Sequence, residues 1–377
     1  MRDKPPLWRR IARWTIRGIA VVVVLVFALL VIAYYRSKNV CDESHPTPAN
    51  PMKAVVHCEY GPPQVLKVEA VERPACTDDQ ILVKVKAAAV NPLDWHFIRG
   101  TPYLMRMQAG MRYPKDIRVG VDFSGTVESV GKNVTRFQPG DDVFGGRDGA
   151  FAEYVCVSAE RSVTRKPPNL SFAQAAAIPI AGVTALQGLR DRAQVQAGQK
   201  VLVNGASGGV GTFTVQIAKA MGAEVTGVCS TRNLEMVRSL GADHVIDYTK
   251  EDFTKGSVRY DAILDNVGNR NLLENKRVLA PEGRYVLIGG GGPDAGNWLG
   301  GLWLPLKALI ASPFIHQQMG MFVAQLNKDD LKAIADLTEA GKVTPVIDRT
   351  YPLSQAAEAV RYLEEGHARG KVVLTIE

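Results

Sequence analysis

Residues Gly198–Lys219 read GQKVLVNGASGGVGTFTVQIAK. Val201-Leu202-Val203 is a short buried-strand run, and it leads through glycines directly into a helical stretch. Strand, tight turn and helix in that order is the context a dinucleotide-binding loop requires. Gly208 would let the backbone approach a pyrophosphate, and Gly211 would let helix and strand pack closely. The free N–H groups and positive dipole end of the helix would face the phosphates. Ala206 stands where the first glycine of G-x-G-x-x-G would sit, so the reading rests on the strand-turn-helix context and not on the short motif. The expected contacts are Ala206, Ser207, Gly208, Gly209, Val210 and Gly211.

Downstream, the strand-like runs EVTGVCS, HVIDY, YDAILDNVG and RYVLIGG alternate with helical segments, the pattern of a doubly wound parallel sheet of Rossmann type. The second strand ends in Ser230, Thr231 and Arg232, where an NAD site would place an acid for the ribose 2′-hydroxyl. Two hydroxyls and a guanidinium suit a 2′-phosphate instead, which favours NADPH over NADH. The plain alternative is that Arg232 only opens the next helix on the surface.

Upstream, KAVVHCEY, VLKVEAVE, QILVKVKAAAV, GTVESVG, DDVFGG and AFAEYVCV are short strands without long helices, which predicts a partly closed β-barrel. Ile16–Tyr35, IRGIAVVVVLVFALLVIAYY, has the length and apolarity of a single transmembrane helix. A cleaved signal peptide is the competing reading, against which stand the long apolar part and the lack of a small-x-small site before Tyr34. Basic residues before or at the start of this run outnumber Arg36 and Lys38 after it, favouring an exported domain. NADPH chemistry favours the cytosolic side, so the side stays open. The net charge of +7 is scattered apart from that N-terminal cluster, which argues against nucleic acid. The five cysteines are odd in number and far apart, so free thiols and a reducing compartment are expected. The chain divides into a basic flank (1–15), an anchor (16–35), a Pro-containing linker (36–51), a barrel domain (52–175), a Rossmann domain (176–317) and a C-terminal return to the barrel (318–377).

The spacing of Leu202, Ala206-Ser207, Gly208-Gly209, Gly211, Gln216 and Lys219 resembles the quinone oxidoreductase/zeta-crystallin signature of the zinc-independent medium-chain dehydrogenase/reductases. NPLD at Asn91, GVDFSG at Gly120, DNVG at Asp265 and GKVVL at Gly370 extend the resemblance from about Met52 to the C-terminus. CSTRNLEMVRSLGADHVIDY is most similar to the branch holding the mitochondrial reticulon-interacting oxidoreductase and bacterial proteins called NAD(P)-dependent alcohol dehydrogenases. The resemblance implies a GroES-like catalytic barrel beside the Rossmann sheet. It implies Tyr248 by the 2′-phosphate, Val267 near the adenosine, Gly289 and Gly290 near the nicotinamide, and Asn91 ordering the nicotinamide side with Asp94 in support. His96 stands where related enzymes carry a Tyr, a candidate donor to the product oxygen, although a packed His is the simpler reading. No metal ligand set is expected: the zinc enzymes of the superfamily use an early Cys, Gly-His-Glu and a Cys cluster, and none is present here.

Without a Lewis acid, hydride addition to a quinone or enone is the favoured chemistry. The expected function is therefore an NADPH-dependent, zinc-independent, membrane-attached quinone or α,β-unsaturated carbonyl reductase. The alternatives are an NAD(P)-dependent alcohol dehydrogenase and a non-catalytic NADPH-binding membrane scaffold. Residues 298–315 read equally as a lid, a homodimer contact or a membrane-facing segment.

Overall fold

The computed structural model describes residues 7–42, 47–289 and 318–377. Gly290 and the apolar stretch 298–315 lie outside the described residues.

Thirty residues, Leu7–Arg36, form one helix, α1, about 45 Å long at 1.5 Å per residue. Its Arg17–Arg36 part is unburied and is long and apolar enough to cross a membrane. The catalytic-side unit contains β1 (Pro51–Val56), β2 (Lys67–Glu72), β3 (Gln80–Val90), α2 (Pro92–Arg99), α3 (Arg106–Ala109), β4 (Asp122–Val130), β5 (Asp142–Gly146), β6 (Tyr154–Ser158) and β7 (Val163–Arg165). The last three elements in the chain, β14 (Ile347–Pro352), α10 (Ala356–Glu364) and β15 (Lys371–Thr375), return to it. β15 pairs antiparallel with β3, Val372 opposite Val90, and the sheet runs β14-β15-β3-β4-β5-β7 with β6 beside β3. This path leaves the barrel unclosed. Val83, Phe123, Phe151 and Leu374 are among the buried residues that fill one core here.

Between them, α4 (Phe172–Ala176), α5 (Pro179–Gln187), β8 (Lys200–Asn204), α6 (Gly209–Ala220), β9 (Glu224–Cys229), α7 (Leu234–Ser239), β10 (His244–Asp247), β11 (Tyr260–Asp265), α8 (Leu272–Val278), β12 (Leu279–Leu287), β13 (Gln318–Met321) and α9 (Lys328–Glu339) form the second unit. Its parallel sheet runs β10-β9-β8-β11-β12-β13. The order reverses direction at β8, and in such sheets ligands bind at the strand ends beside that reversal. Phe213 and Ile217, one turn apart on α6, are fully buried against the sheet, each side chain contributing about 1.5–3 kcal/mol. Pro179 heads α5 at its first position, where the missing N–H costs nothing, which is why the proline inside SFAQAAAIPIAGVTALQGL divides two helices. Ala87 and Ala89 of β3 pack on Ala176 and Ala177, small residues that allow the two units close approach.

The expectation of free thiols is overturned. Cys41 is bonded to Cys58 and Cys76 to Cys156, with Cα separations of 5.7 and 5.4 Å, both inside the range a disulfide requires. Only Cys229 is free, and it is buried. Chain spacing gave no sign of this, because the partners are 17 and 80 residues apart and meet only after β1, β3 and β6 assemble. Within the 36–51 segment, Cys41 is fastened to Cys58, just past β1.

Candidate active site

The glycine loop joins β8 to α6, and each glycine has its own reason. Gly205 takes a positive φ of 76°, and a Cβ there would lie 2.8 Å from Val267 Cγ2. At Gly211 a Cβ would meet the Gly205 carbonyl oxygen at 2.1 Å, so helix and strand could not pack as they do. Gly208 differs: its backbone is ordinary (φ −84°, ψ 178°), and the nearest protein atom to an added Cβ is 3.5 Å away. The protein leaves space there, at the N-cap of a twelve-residue helix whose first N–H groups have no intrahelical acceptor. That is a cradle of the kind a pyrophosphate fills. Ala206 is buried, with its N–H bonded to the Val228 carbonyl, and Ser207 accepts from Asn233 Nδ2 at 3.0 Å. Val210 packs at the edge of the Rossmann core.

Beyond β9, the Thr231 hydroxyl donates to Asp247 at 2.5 Å, so a carboxylate stands near the end of β9 after all, supplied by β10. It is also capped by the Thr249 N–H and hydroxyl. The Thr231 hydroxyl first, then Thr249, hold its pKa down at about 2. Arg232 is exposed and reaches across to donate to the His367 carbonyl at 2.6 Å, on the C-terminal turn that packs on the glycine loop. Tyr248 and Val267 are exposed at the same strand ends. Ser230 is half-buried beside Asn233. Gly289 bonds the Asp265 carbonyl, and a Cβ there would strike the Asn266 carbonyl oxygen at 2.2 Å. Asp265 itself is buried and accepts from Asn204 Nδ2, the N–H groups of Val267 and Gly268, and the Tyr285 hydroxyl, which fixes the DNVG turn.

Beneath the start of α6 lies a buried polar knot. Asn91 donates to the Ala89 carbonyl at 3.2 Å and to Asp122 Oδ2 at 3.0 Å, and accepts from Lys371 Nζ at 2.5 Å. Its backbone N–H donates to Asp94 Oδ2 at 2.7 Å, and the Ile180 N–H donates to Asp122 Oδ1 at 3.0 Å. Lys371 also lies 3.5 Å from Asp122, and the two are 3% and 0% exposed. Gly370 bridges to Gly208 and donates to the Ser207 carbonyl, while Lys371 Cδ would touch a Cβ on Gly209 at 3.1 Å. The knot is thus the floor of the cofactor loop. Desolvation chiefly pushes Asp94 up to about 8, opposed by the Asn91 N–H. Burial also moves Asp122 upward and Lys371 downward, each chiefly opposed by the other's charge.

The geometry bears on three of the expected residues. Both donors of Asn91 and an oxygen lone pair are used inside the protein, and Asp94 is buried beneath its backbone N–H. His96 bonds the Thr101 carbonyl through Nδ1 at 2.6 Å, and a carbonyl only accepts, so Nδ1 carries the proton. Burial lowers the pKa of this ring. In the neutral ring this leaves an acceptor at Nε2, and the ring stacks on Trp95. Lys371 was missed. Its signal was a charged residue opening the apolar strand run Val372-Val373-Leu374.

The chain matches the family described as "Alcohol dehydrogenase GroES-like domain" over residues 77–168 and "Zinc-binding dehydrogenase" over 240–374. It is 36% identical to a 2-methylene-furan-3-one reductase of Solanum lycopersicum, covering 86% of this chain and 79% of that protein. It is 37% identical to the NAD(P)H oxidoreductase RTN4IP1, mitochondrial, of Mus musculus, over 79% and 82% of the two chains. The chain belongs to the medium-chain dehydrogenase/reductase superfamily. Among solved structures, the quinone oxidoreductase from Coxiella burnetii superposes with a TM-score of 0.76 at 32% identity, covering 87% of this chain and all of that one. As a medium-chain dehydrogenase/reductase with NAD(P)H oxidoreductase relatives, the chain is an oxidoreductase using a nicotinamide cofactor.

Many medium-chain dehydrogenase/reductases hold zinc, which needs three or four Cys, His or carboxylate donors around one point. Four cysteines here are in disulfides, and burial pushes the Cys229 thiol up to about 11. No group of three or more His, Cys, Asp or Glu among the described residues is placed to hold a metal. Around Asn91 and Asp122, the positive charge is the Lys371 ammonium. The donor set around Asn91 and Asp122 does not fit zinc.

Proposed function

We propose that this protein is an NADPH-dependent, zinc-independent reductase that passes hydride to a quinone or an α,β-unsaturated carbonyl compound, held to a membrane by α1. The observation that carries the reading is the open cradle at Gly208, backed by the Lys371 knot in place of a metal. The relatives named for enone and quinone substrates support the same acceptor class.

When bound, the nicotinamide supplies the hydride. The chain's part is to bind and position. The Ser207–Gly211 backbone and the α6 N-terminus take the pyrophosphate, and Ser230, Arg232 and Tyr248 take the 2′-phosphate. Val267 borders the adenosine, and Gly289 the nicotinamide side. Asn91 and Asp94, locked by Lys371 and Asp122, fix the floor against which the ring is set. An acceptor that spreads developing negative charge over a conjugated system needs less electrophilic help than a simple ketone.

The test is an acceptor screen that follows NADPH absorbance with the purified full chain. Turnover with quinones or enones and none with simple ketones is expected; turnover only with alcohols and NADP would give the alcohol dehydrogenase reading, and none with any acceptor the scaffold. Arg232→Ala should weaken NADPH by about 1–3 kcal/mol, the scale of a charged hydrogen bond, with little effect on NADH. Equal weakening of both would overturn the 2′-phosphate assignment.

Two observations support an exported catalytic domain: the basic N-terminal flank of α1 and the pair of disulfides, which persist in oxidising compartments.

A further inference from the structure

Cys41 lies five positions beyond Arg36, the last residue of α1, and it is bonded to Cys58 in the barrel. Five residues reach at most about 18 Å when fully extended. The barrel face around Cys58 therefore sits at the end of α1, whatever the length of the chain from Cys41 to Pro51. The contacts made there agree. Ser37 Oγ accepts from the N–H groups of Tyr113 and Arg112 at 3.2 and 3.4 Å, and the Arg112 guanidinium lies 5.5 Å from the Tyr34 ring.

The segment held against the helix end has an unusual surface. Tyr60 donates to the Gly110 carbonyl at 2.8 Å, and Arg106 packs over the Tyr60 and Tyr103 rings at 4.3 and 4.7 Å. This framework turns Leu104 and Met107 outward, 51% and 58% exposed. Arg112 and Lys115 are exposed on the same segment, and its one acid, Asp116, is paired with Arg118. Arg106 also donates to the carbonyls of Arg99 and Gly100, so the segment grows directly out of α2, whose N-cap is Asn91.

We propose that the face bearing Leu104, Met107, Arg112 and Lys115 is seated in the headgroup region of an anionic bilayer, the one that holds α1. Apolar side chains ringed by bases are the composition that binds such an interface, through buried apolar area and attraction to anionic lipid. The disulfide makes the seating obligatory by removing the slack of the linker. A reductase docked in this way draws a lipid-dissolved acceptor from the bilayer next to α2. The inference rests on the reading of α1 as a membrane anchor.

The experiment uses the full, oxidised chain in nanodiscs of anionic phospholipid, with a photo-crosslinking benzoylphenylalanine placed in turn at Phe27 on α1, at Met107, and at Leu273, exposed on α8. Lipid labelling is expected at Phe27 and Met107 and at least tenfold less at Leu273. Labelling at Phe27 with Met107 no higher than Leu273 would overturn the seating while leaving the anchor; no labelling at Phe27 would overturn the anchor itself. Arg112→Glu with Lys115→Glu, and separately Cys58→Ser, should each cut Met107 labelling severalfold without changing Phe27, and unchanged Met107 labelling in both would overturn the proposal.

Discussion

Lys371 Nζ lies 2.5 Å from Asn91 Oδ1 across 280 residues of sequence, and through this bond the last strand of the chain clamps the floor of the cofactor loop. The ammonium is 3% exposed, so its attraction to Asp122 acts with little screening by water. Removing one partner of a buried pair costs about 3–5 kcal/mol, because the charge left behind has no solvent. Lys371→Met should therefore lower unfolding free energy on that scale in denaturant titration. Adding Asp122→Asn should recover much of the loss, since the orphaned charge is gone. A single-variant cost below about 1 kcal/mol, the scale of a surface pair, would show that the knot is not held by charge.

Asp94 gives the pH dependence. Its pKa is raised from 3.8 to about 8 in the fold, so the folded state holds a proton that the unfolded chain has released across that interval. The stabilisation is fully present below the unfolded value and is lost as pH rises through the folded one. Stability should fall with rising pH up to about 8 and then level, as far as this group contributes. Asp94→Asn keeps an acceptor for the Asn91 N–H and no longer ionises. Chemical denaturation of both proteins from about pH 6 to about pH 9 should show the wild-type slope flattened in the variant. Parallel profiles would mean that Asp94 is ionised throughout.

The two glycines of the loop separate binding from folding. Gly208→Ala places a Cβ 3.5 Å from the nearest protein atom on a backbone that alanine accepts, so the thermal midpoint should hardly move. The methyl occupies the cradle, and NADPH affinity should drop at least tenfold, about 1.4 kcal/mol or more. Gly211→Ala drives a Cβ to 2.1 Å from a carbonyl oxygen and should instead destabilise the fold by several kcal/mol, about the cost of severe overpacking. Calorimetric titration beside thermal denaturation distinguishes them; undiminished NADPH binding by Gly208→Ala would move the cofactor elsewhere.

These contrasts show where the sequence was legible. The loop from Gly205 to Gly211 could be read because strand, turn and helix are local, and their hydrophobic periods sit side by side in the chain. Asn91 and Asp122 were visible as motif residues, but their roles depend on Lys371, brought in by the β15–β3 pairing, which no local pattern encodes. Asp247 reaches Thr231 for the same reason, across two parallel strands. For His96 the sequence allowed both a packed ring and a donor, because the Thr101 carbonyl that Nδ1 meets is a turn contact that composition does not reveal.

The cysteines give the last prediction. With Cys41–Cys58 and Cys76–Cys156 formed, and Cys229 buried between sheet and helix, the native chain should offer no thiol to a membrane-permeant alkylating reagent. Denaturation without reductant should expose one thiol, and denaturation with reductant five, as read by mass. Cys76–Cys156 closes a loop 80 residues apart in sequence, so Cys76→Ser with Cys156→Ser should cost about 2–5 kcal/mol. The same count made on cells quenched with acid reports the compartment. One accessible thiol after denaturation alone means that the domain folded where disulfides persist, in agreement with the basic flank on the opposite side of α1. Five would place the domain in a reducing compartment, and the linker bypass through Cys41 would not operate there.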